Sequence, residues 1–493
     1  MLLKVARLLA LLVGGVLGSV AFGQADLQRG LVTQLVDALN TKSVTQIRSF
    51  VQGHLAPNQS VDVRVTRYKE LADHGAPFKI ARALKATDKL VVVVVVDRLG
   101  NRIALTSHFE NKPNVVITGL QLQDAFSVEG APPDLAAWKD LPDLAKMIRA
   151  KAKSPGAGIG FAKEGKLTVA VSGVRKSGTK DPVSPGDVWS IGSIGKSLCS
   201  TVIGILIERG QLRWDETVGE ALPGVSMDPG YKRVTLEQVM RHRGGLPPDL
   251  GFSDDEVKQI VGKASTAVAI RTAYVADVLR RTPQALPDTE FIYSNAGYAV
   301  LSHIAERVTG KPFEVLLKEL VFRPLGLANS YVYGDTLPVG RARGHVANPK
   351  GLVVQDVTGP IEAMFVGAGS GIYMSVGDLV RFGEVHLKGL RGIDGLMKAS
   401  TVVRLHRGVA EKGPGGRLYA CGWGIQTLAG LEPFHGHNGS DGTMRAQLAI
   451  FPGANLVVVA VVNLGGDDEP TPGLMAVQAI AEKLGASQKA DRK

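Results

Sequence analysis

The chain has 493 residues, of which 45% are hydrophobic and 21% are charged. That balance is typical of a globular protein with a sizeable core and excludes a disordered or fibrous chain, and the length allows two or three domains. The formal charge of +11 is not gathered into a basic block with interleaved aromatic residues, which excludes a nucleic-acid-binding element and favours solubility with peripheral attraction to anionic envelope polymers.

Residues 1–25 have the layout of a secretory signal peptide. Basic residues precede an apolar stretch at 8–20, and small residues follow at Ala21, Gly23 and Ala25. We therefore expect an exported protein, periplasmic or extracellular. The alternative is an uncleaved membrane anchor, which a run of this length can form if cleavage fails.

Residues 26–128 are predicted to form a small α+β domain. Apolar residues at Leu31, Leu35, Leu39 and Ile47 indicate an amphipathic helix pair. The strands predicted after it cover 61–65, 79–84, 90–97, 102–110 and 114–123. In its pattern, though not in any motif, this module resembles the cystatin-like domains found in front of some exported serine hydrolases.

A linker is predicted at 129–134, because Gly130, Pro132 and Pro133 break regular structure. The second domain covers 135–485, and 486–493 is a polar, loose tail. This domain has predicted strands near both of its ends and mostly helices between them. One sheet assembled from distant parts of the chain, with helices beside it, follows from that arrangement and gives an α+β fold.

The segment from Ser193 to Arg209 is predicted to be a buried helix, with Gly210 as its left-handed cap. Ser193 and Lys196 are three residues apart and therefore share one side of the helix. Burial of a lysine against apolar side chains favours its neutral form, which can accept a serine proton. Ser193 is thus the candidate nucleophile and Lys196 its candidate base.

Two further motifs lie downstream, Y-x-N at 293–295 and H-x-G at 437–439. Alternate side chains of an extended segment share one side, so Tyr293 and Asn295 can face one site. His437 can face a cleft, and Gly439 would let a substrate lie against the strand. Taken singly, Tyr293 is typical of a packed core residue and His437 is typical of a loop residue. Only the combination of the motifs predicts an active site.

In this order, S-x-x-K, Y-x-N and H-x-G resemble the active-site motifs of the class C β-lactamase and D,D-peptidase superfamily, which includes family VIII carboxylesterases. Flanking stretches such as IYSNAGYAVLSHIAERVTGKPF and FRPLGLANS look like the same family. The resemblance implies a β-lactamase/transpeptidase-like fold with a helical subdomain. Two departures are Gly244, where the family usually has serine, and His437, where β-lactamases proper usually have lysine.

The resemblance also implies a role for each candidate residue. Ser193 forms an acyl-enzyme, while Lys196 and Tyr293 move protons. Asn295 orients Lys196 and the substrate amide. The oxyanion is held by the backbone N–H groups of Ser193 and Ser440. No cofactor is implied.

Other chemistries have weaker support. His435 and His437 are two residues apart, but no third ligand with zinc-like spacing accompanies them, so no metal site is predicted. Cys199 and Cys421 allow one bridge at most and are expected to be buried thiols. No serine lies in the G-x-S-x-G elbow that an α/β-hydrolase needs.

The sequence therefore predicts an exported serine hydrolase that acts on small esters or on D-amino-acid amide and peptide bonds such as those of peptidoglycan. Two alternatives stay open, a true β-lactamase and a catalytically silent envelope-binding protein. With an ordinary pKa of about 6.5, His437 is mostly neutral at pH 7 and gives the carboxylate of a β-lactam little attraction. This favours esters and peptides. The oligomeric state does not follow from the sequence.

Overall fold

The protein is represented by a computed structural model. It describes residues 26–486 except 57–59, 99–101, 112–113, 125–134, 136, 249–258, 260–261, 263, 357–358, 411–417 and 467–470. The chain divides into two compact units, Met1–Ala125 and Phe126–Lys493. The expected signal peptide, the linker 129–134 and residues 487–493 of the tail lie outside the described residues. Among the helices that are described, none has both the length and the apolar character needed to cross a membrane.

The first unit packs helices on one antiparallel sheet. Its elements are α1 (Asp26–Asn40), α2 (Val44–His54), α3 (Val61–Gly75), β1 (Lys79–Ala86), β2 (Leu90–Val96), β3 (Arg102–Glu110) and β4 (Val116–Asp124), and the strands are paired in chain order. Val91, Val93 and Val95 of β2 share a core with Leu35 and Leu39 of α1. Residues two apart in a strand share one face of the sheet, and residues three or four apart share one side of a helix. The valines of β2 and the leucines of α1 can therefore face each other.

One strand prediction in this unit is wrong. Residues 61–65 alternate like a strand but begin helix α3, because the apolar pattern continues with helical spacing. Val65 and Ala72 are buried and Tyr68 packs on the same core, whereas Val63 is 47% exposed. A window of five residues is too short to separate the two periods.

The second unit begins with a helix and two paired strands. Helices and short strands are then mixed along the chain. Its elements are α4 (Leu141–Lys151), β5 (Gly156–Lys163), β6 (Lys166–Gly173), β7 (Val188–Ser190), α5 (Gly195–Glu208), α6 (Val218–Ala221), α7 (Leu236–Met240), α8 (Ala267–Arg280), α9 (Asn295–Thr309), α10 (Phe313–Leu317), β8 (Ser330–Val332), β9 (His345–Asn348), β10 (Gly351–Val354), α11 (Pro360–Met364), β11 (Ile372–Ser375), α12 (Val376–Leu390), α13 (Ala399–Leu405), β12 (Val409–Ala410), β13 (Leu418–Tyr419), β14 (Gly424–Gln426), β15 (Phe434–Ser440), β16 (Arg445–Phe451), β17 (Leu456–Val462) and α14 (Pro472–Lys483).

The main sheet of this unit joins the two ends of the domain. Its strand order is β12-β13-β14-β15-β16-β17-β5-β6, and every pairing is antiparallel. Strand β17 pairs with β5 from Leu456 opposite Lys163 to Val462 opposite Ala157. The predicted α+β class, with one sheet built from distant segments, is confirmed.

Helices cover both faces of this sheet. Along β17, Val457, Val459 and Val461 belong to one core together with residues of α5 and α12. Val458 and Val462 belong to a second core together with residues of α4 and α14. Because successive strand residues point to opposite faces, a strand buried on both sides has to be apolar throughout, as LVVVAVV is.

Helix α5 lies inside the larger core. Every residue from Gly195 to Leu206 is buried, so the helix is apolar on all sides except where it carries Lys196 and small polar residues. A 3₁₀ turn, Gly192–Ile194, precedes it, and Gly210 follows with a φ of 70°. Cys199 in this helix and Cys421 are both buried free thiols.

We predict that a chain beginning at Ala131 keeps its kcat on a small ester. The second unit has its own two cores and contains every candidate catalytic residue. The measurement is kcat for the full and the shortened chain, with circular dichroism as the control for folding. A large loss of kcat in a folded shortened chain would show that the first unit shapes the site.

Candidate active site

Ser193 lies in the 3₁₀ turn between β7 and α5 and is half-buried. The turn is possible because Gly192 has a φ of 48°, in the left-handed region that glycine favours. A Cβ at Gly192 would collide with the backbone of Ser440 and lie 2.7 Å from its carbonyl oxygen. The turn that carries the candidate nucleophile therefore touches the end of β15 backbone to backbone.

Gly439 makes the same kind of contact from the other side. A Cβ there would collide with the carbonyl oxygen of Ile191 and lie 2.9 Å from the backbone nitrogen of Ser193. From the sequence, the missing side chain of Gly439 is predicted to leave space for a substrate. In the structure the protein itself fills that space, so the explanation changes. The missing side chain lets β15 approach the turn, which brings the backbone of Ser193 beside that of Ser440.

Lys196 is completely buried one turn of helix after Ser193. Its Nζ donates to Ser193 Oγ at 3.0 Å, to Asn295 Oδ1 at 2.5 Å and to the carbonyl oxygen of Ala368 at 3.2 Å. An ammonium group has three N–H donors, and these three acceptors satisfy all of them. They come from the 3₁₀ turn before α5, the start of α9 and the short helical turn Val366–Ala368.

Tyr293 and Asn295 both face Lys196. Asn295 is the first residue of α9, and Ser294 caps this helix by accepting the N–H of Gly297 at 2.8 Å. The ring of Tyr293 lies under the lysine, with Nζ 4.7 Å from the ring centroid. This is a cation–π distance, so the ring stabilises the ammonium.

His437 is buried, and both of its ring nitrogens contact the protein. Nδ1 lies 2.5 Å from the carbonyl oxygen of Asn438, which can only accept, so Nδ1 carries the proton. Nε2 therefore accepts from the hydroxyl of Tyr419 at 2.9 Å. Burial and the charge of Lys196 lower the pKa of His437 to about 3. The ordinary value assumed from the sequence is thus wrong, although the inference of a neutral ring at pH 7 is the same.

The side chain of Ser440 faces outward and stabilises the connection to β16. Its Oγ donates to the carbonyl oxygen of Met444 at 2.9 Å and accepts the N–H of Gly442 at 3.0 Å. The hydroxyl thus fixes the turn, while the backbone nitrogen lies against Gly192. What Ser440 offers the site is its backbone.

Sequence reasoning missed three groups at this site. Ala368 contributes only a carbonyl oxygen, for which side-chain motifs give no signal. Tyr419 bonds His437 from β13, and no pattern near residue 419 indicates it. His242 lies against the rings of Tyr293 and Tyr419, with centroids 4.4 and 4.8 Å away. It lies two residues before Gly244 and belongs to none of the three motifs.

A second group of histidines runs behind the site. Thr201 Oγ1 lies 3.0 Å from His386 Nε2, His386 Nδ1 lies 3.0 Å from His406 Nε2, and His406 Nδ1 lies 3.2 Å from His435 Nδ1. Burial lowers the pKa of His386 to about 3 and that of His435 to about 4. His435 is thus bonded to another imidazole rather than paired with His437. Across the described residues no three His, Cys, Asp or Glu side chains are arranged to hold a metal ion.

The second unit has an antiparallel sheet with helices on both faces, and its Ser-x-x-Lys segment begins a buried helix that contacts the end of β15. These features define the serine β-lactamase/transpeptidase fold. A family model described as Beta-lactamase matches residues 144–482, which is more than half of the chain. The chain belongs to this family.

Named relatives agree with this assignment. Penicillin-binding protein 4 of Amycolatopsis lactamdurans is 29% identical over 351 residues, which cover 68% of this chain and 86% of that protein. A putative D-alanyl-D-alanine carboxypeptidase of Escherichia coli (strain K12) is 28% identical over 131 residues, 25% of this chain and 29% of that protein. The octameric penicillin-binding protein homologue from Pyrococcus abyssi superimposes with a TM-score of 0.59 at 25% identity and covers 70% of this chain and 77% of its own.

The fold extends to a further solved structure. The D-amino acid amidase of Ochrobactrum anthropi superimposes with a TM-score of 0.57, over 71% of this chain and 99% of that chain. At 20% identity this likeness shows the fold alone.

We predict that the free energy of unfolding falls as the pH is lowered from 7 to 5, partly because of His437. Its pKa is about 3 in the folded protein, whereas in the unfolded chain it is about 6.5. Between these values the unfolded chain binds more protons, so stability is lost as the pH falls through the window. For His437 the loss between pH 7 and pH 5 is about 2 kcal/mol.

Denaturant unfolding at pH 7 and pH 5 measures this loss. A His437→Gln variant is the matched control, because glutamine does not titrate in this range. Its stability should fall by about 2 kcal/mol less than that of the wild type. Equal losses in the two proteins would contradict a buried, neutral His437.

Proposed function

We propose that this protein is an exported serine hydrolase in which Ser193 forms an acyl-enzyme and which cleaves esters or D-amino-acid amide and peptide bonds. The observation that carries the proposal is the 3.0 Å contact between Lys196 Nζ and Ser193 Oγ inside a buried set of acceptors. A serine and a lysine at this distance form a nucleophile with an adjacent proton acceptor.

Lys196 has to be neutral to take the serine proton. A neutral amine has two N–H groups and one lone pair. The oxygens of Asn295 and Ala368 accept the two N–H groups, and the lone pair then points at Ser193 Oγ. The lysine can lose and regain one proton without moving, so the same contacts serve the acid and the base forms.

In the acylation step, Ser193 Oγ attacks the substrate carbonyl carbon while its proton passes to Lys196. The carbonyl oxygen becomes an oxyanion, which accepts hydrogen bonds from the backbone N–H groups of Ser193 and Ser440. The C–O or C–N bond to the leaving group then breaks. The leaving group takes a proton from Lys196, with Tyr293 beside the ammonium as the second proton carrier.

Deacylation reverses these transfers. Water attacks the acyl carbon and gives its proton to the pair formed by Lys196 and Tyr293. The bond to Ser193 Oγ breaks, and the serine recovers a proton as the free acid leaves. Microscopic reversibility lets one acid–base pair serve both steps.

The substrate class is supported by the relatives and by His437. A putative D-alanyl-D-alanine carboxypeptidase is among the similar proteins, and its name points to peptides of D-amino acids. Where β-lactamases proper usually have a lysine, this chain has a histidine whose pKa is about 3. A neutral ring offers no charge to a β-lactam carboxylate.

Export and the first unit complete the proposal. The basic, apolar and small-residue order of 1–25 supports export, with peripheral association with the envelope. We assign residues 26–128 to a cystatin-like module that docks or spaces the hydrolase domain.

We predict that Ser193→Ala removes essentially all turnover and leaves the fold intact, since the serine is small and its loss opens little cavity. Labelling with a fluorophosphonate probe, followed by peptide mass spectrometry, should place the label on Ser193. A Ser172→Ala variant, on the edge strand β6, is the control and should label like the wild type. A label on another residue, or an active Ser193→Ala variant, would refute the assignment.

We also predict that esters or D-amino-acid peptides are better substrates than β-lactams. The measurement is kcat/KM for a p-nitrophenyl ester, a D-alanyl peptide and a chromogenic cephalosporin. In His437→Lys, which introduces a cation, the cephalosporin should gain relative to the ester. A wild type that prefers the cephalosporin would instead support the β-lactamase alternative.

A further inference from the structure

One residue outside the three motifs holds the backbone on both sides of Tyr293. His242 follows α7, and its carbonyl oxygen accepts the N–H of Ile292 at 2.9 Å. Its ring Nδ1 accepts the N–H of Ser294 at 3.0 Å. Alternate N–H groups of an extended segment point to the same side, so a single residue can bond both. Tyr293 lies between the two bonds.

The imidazole of His242 also packs on the ring of Tyr293. Its centroid is 4.4 Å from the ring of Tyr293, with an interplanar angle of 43°. The rings of Tyr298 and Tyr419 enclose it at 5.3 and 4.8 Å. His242 therefore limits the backbone of residue 293 through hydrogen bonds and the ring of residue 293 through contact.

The protonation state of His242 follows from these bonds. A backbone N–H can only donate, so Nδ1 is unprotonated and the neutral ring carries its proton on Nε2. Burial, then the charge of Lys196 and the neighbouring His437, keeps the pKa of His242 well below its ordinary value. The ring stays neutral, and Nδ1 stays an acceptor.

Two features of His242 are unfavourable for folding. Its φ of 59° is in the left-handed region, which few residues other than glycine adopt without strain. Its buried Nε2 has no hydrogen-bond partner in the part of the chain that the structure describes. Such features persist where the surrounding structure enforces them, most often at functional sites.

We propose that His242 is a positioning residue, which fixes Tyr293 against Lys196 by bonding the backbone N–H groups of Ile292 and Ser294. The inference rests on the proposed function, because the position of Tyr293 matters only if this tyrosine moves protons. His242 itself touches neither the nucleophile nor the substrate carbonyl in that mechanism.

Two substitutions of His242 distinguish the loss of the Nδ1 hydrogen-bond acceptor from a change in backbone conformation. In His242→Asn the Oδ1 atom occupies about the place of Nδ1, and asparagine tolerates the left-handed conformation. In His242→Gly the conformation is equally allowed, but the acceptor for Ser294 is gone. If the glycine variant does not fold, His242→Leu keeps apolar volume in the core and also lacks the acceptor. Val275→Ala, in the same core, is the control for a loss of stability alone.

The first measurement is steady-state kinetics on the ester. Because a misplacement of about 1 Å can cost about 100-fold in rate, kcat should fall by about that factor in His242→Gly while KM changes by less than about threefold. His242→Asn should keep kcat within about tenfold of the wild type. Val275→Ala should keep the wild-type kcat.

The second measurement is hydrogen exchange of a peptide covering 290–297, which reports the two backbone bonds without requiring turnover. Protection of the Ser294 amide should be lost in His242→Gly and retained in His242→Asn. The Ile292 amide, which bonds the backbone carbonyl of residue 242, should stay protected in both variants. A glycine variant with wild-type kcat, or an asparagine variant as slow as the glycine variant, would overturn the inference in an otherwise active enzyme. A wild type that neither turns over nor labels at Ser193 would instead overturn the proposed function, and with it this role.

Discussion

The contact between strand β15 and the turn that carries Ser193 fixes the rest of the site. It is a contact of backbone on backbone, and a Cβ at Gly192 or Gly439 would collide with main-chain atoms across it. Gly369 joins the same contact, with a φ of 108° and with no room for a Cβ beside the carbonyl oxygen of Gly192. The sheet, the start of α5 and the turn at 366–369 are thereby locked together. Because Ala368 precedes Gly369 in that turn, its carbonyl oxygen reaches Lys196.

This locked arrangement makes it possible to bury a lysine. A buried ammonium without partners would be strongly destabilising, and helix α5 offers it few polar neighbours. The acceptors at Asn295 and Ala368 come from segments about a hundred or more residues further along the chain. The candidate site is therefore assembled only when distant segments of the domain pack together. Removal of either acceptor would leave part of a buried charge unpaired, with a cost to stability as well as to chemistry.

Features set by residues close together in the chain could be predicted from the sequence, whereas features set by contacts between distant residues could not. The helix after Ser193 and the strand pair β16 and β17 were predictable, because period, turn residues and apolar runs are local signals. Helix α3 was missed because its first five residues alternate like a strand. The hydrogen bond from the Tyr419 hydroxyl to His437 depends on the packing of strands that are distant in the chain, which no local pattern encodes. The pKa of about 3 depends on burial and on the charge of Lys196, which are likewise set by tertiary structure. The same holds for His242, whose left-handed φ and whose place against Tyr293 are set by tertiary contacts.

Burial, together with the charge of Lys196, explains why the imidazoles of His242 and His437 are neutral. His242 and His437 are both buried, and in both the charge of Lys196 adds to burial in lowering the pKa. A second cation in the same pocket would repel the first, so this chain concentrates its positive charge on the group that contacts Ser193. Arg445, on the neighbouring strand, donates from Nε to the carbonyl oxygen of Leu464 at 3.0 Å and is itself buried. Under the proposed function, backbone amides and neutral rings near β15 would select the substrate, which favours an uncharged ester or amide over an anionic ring.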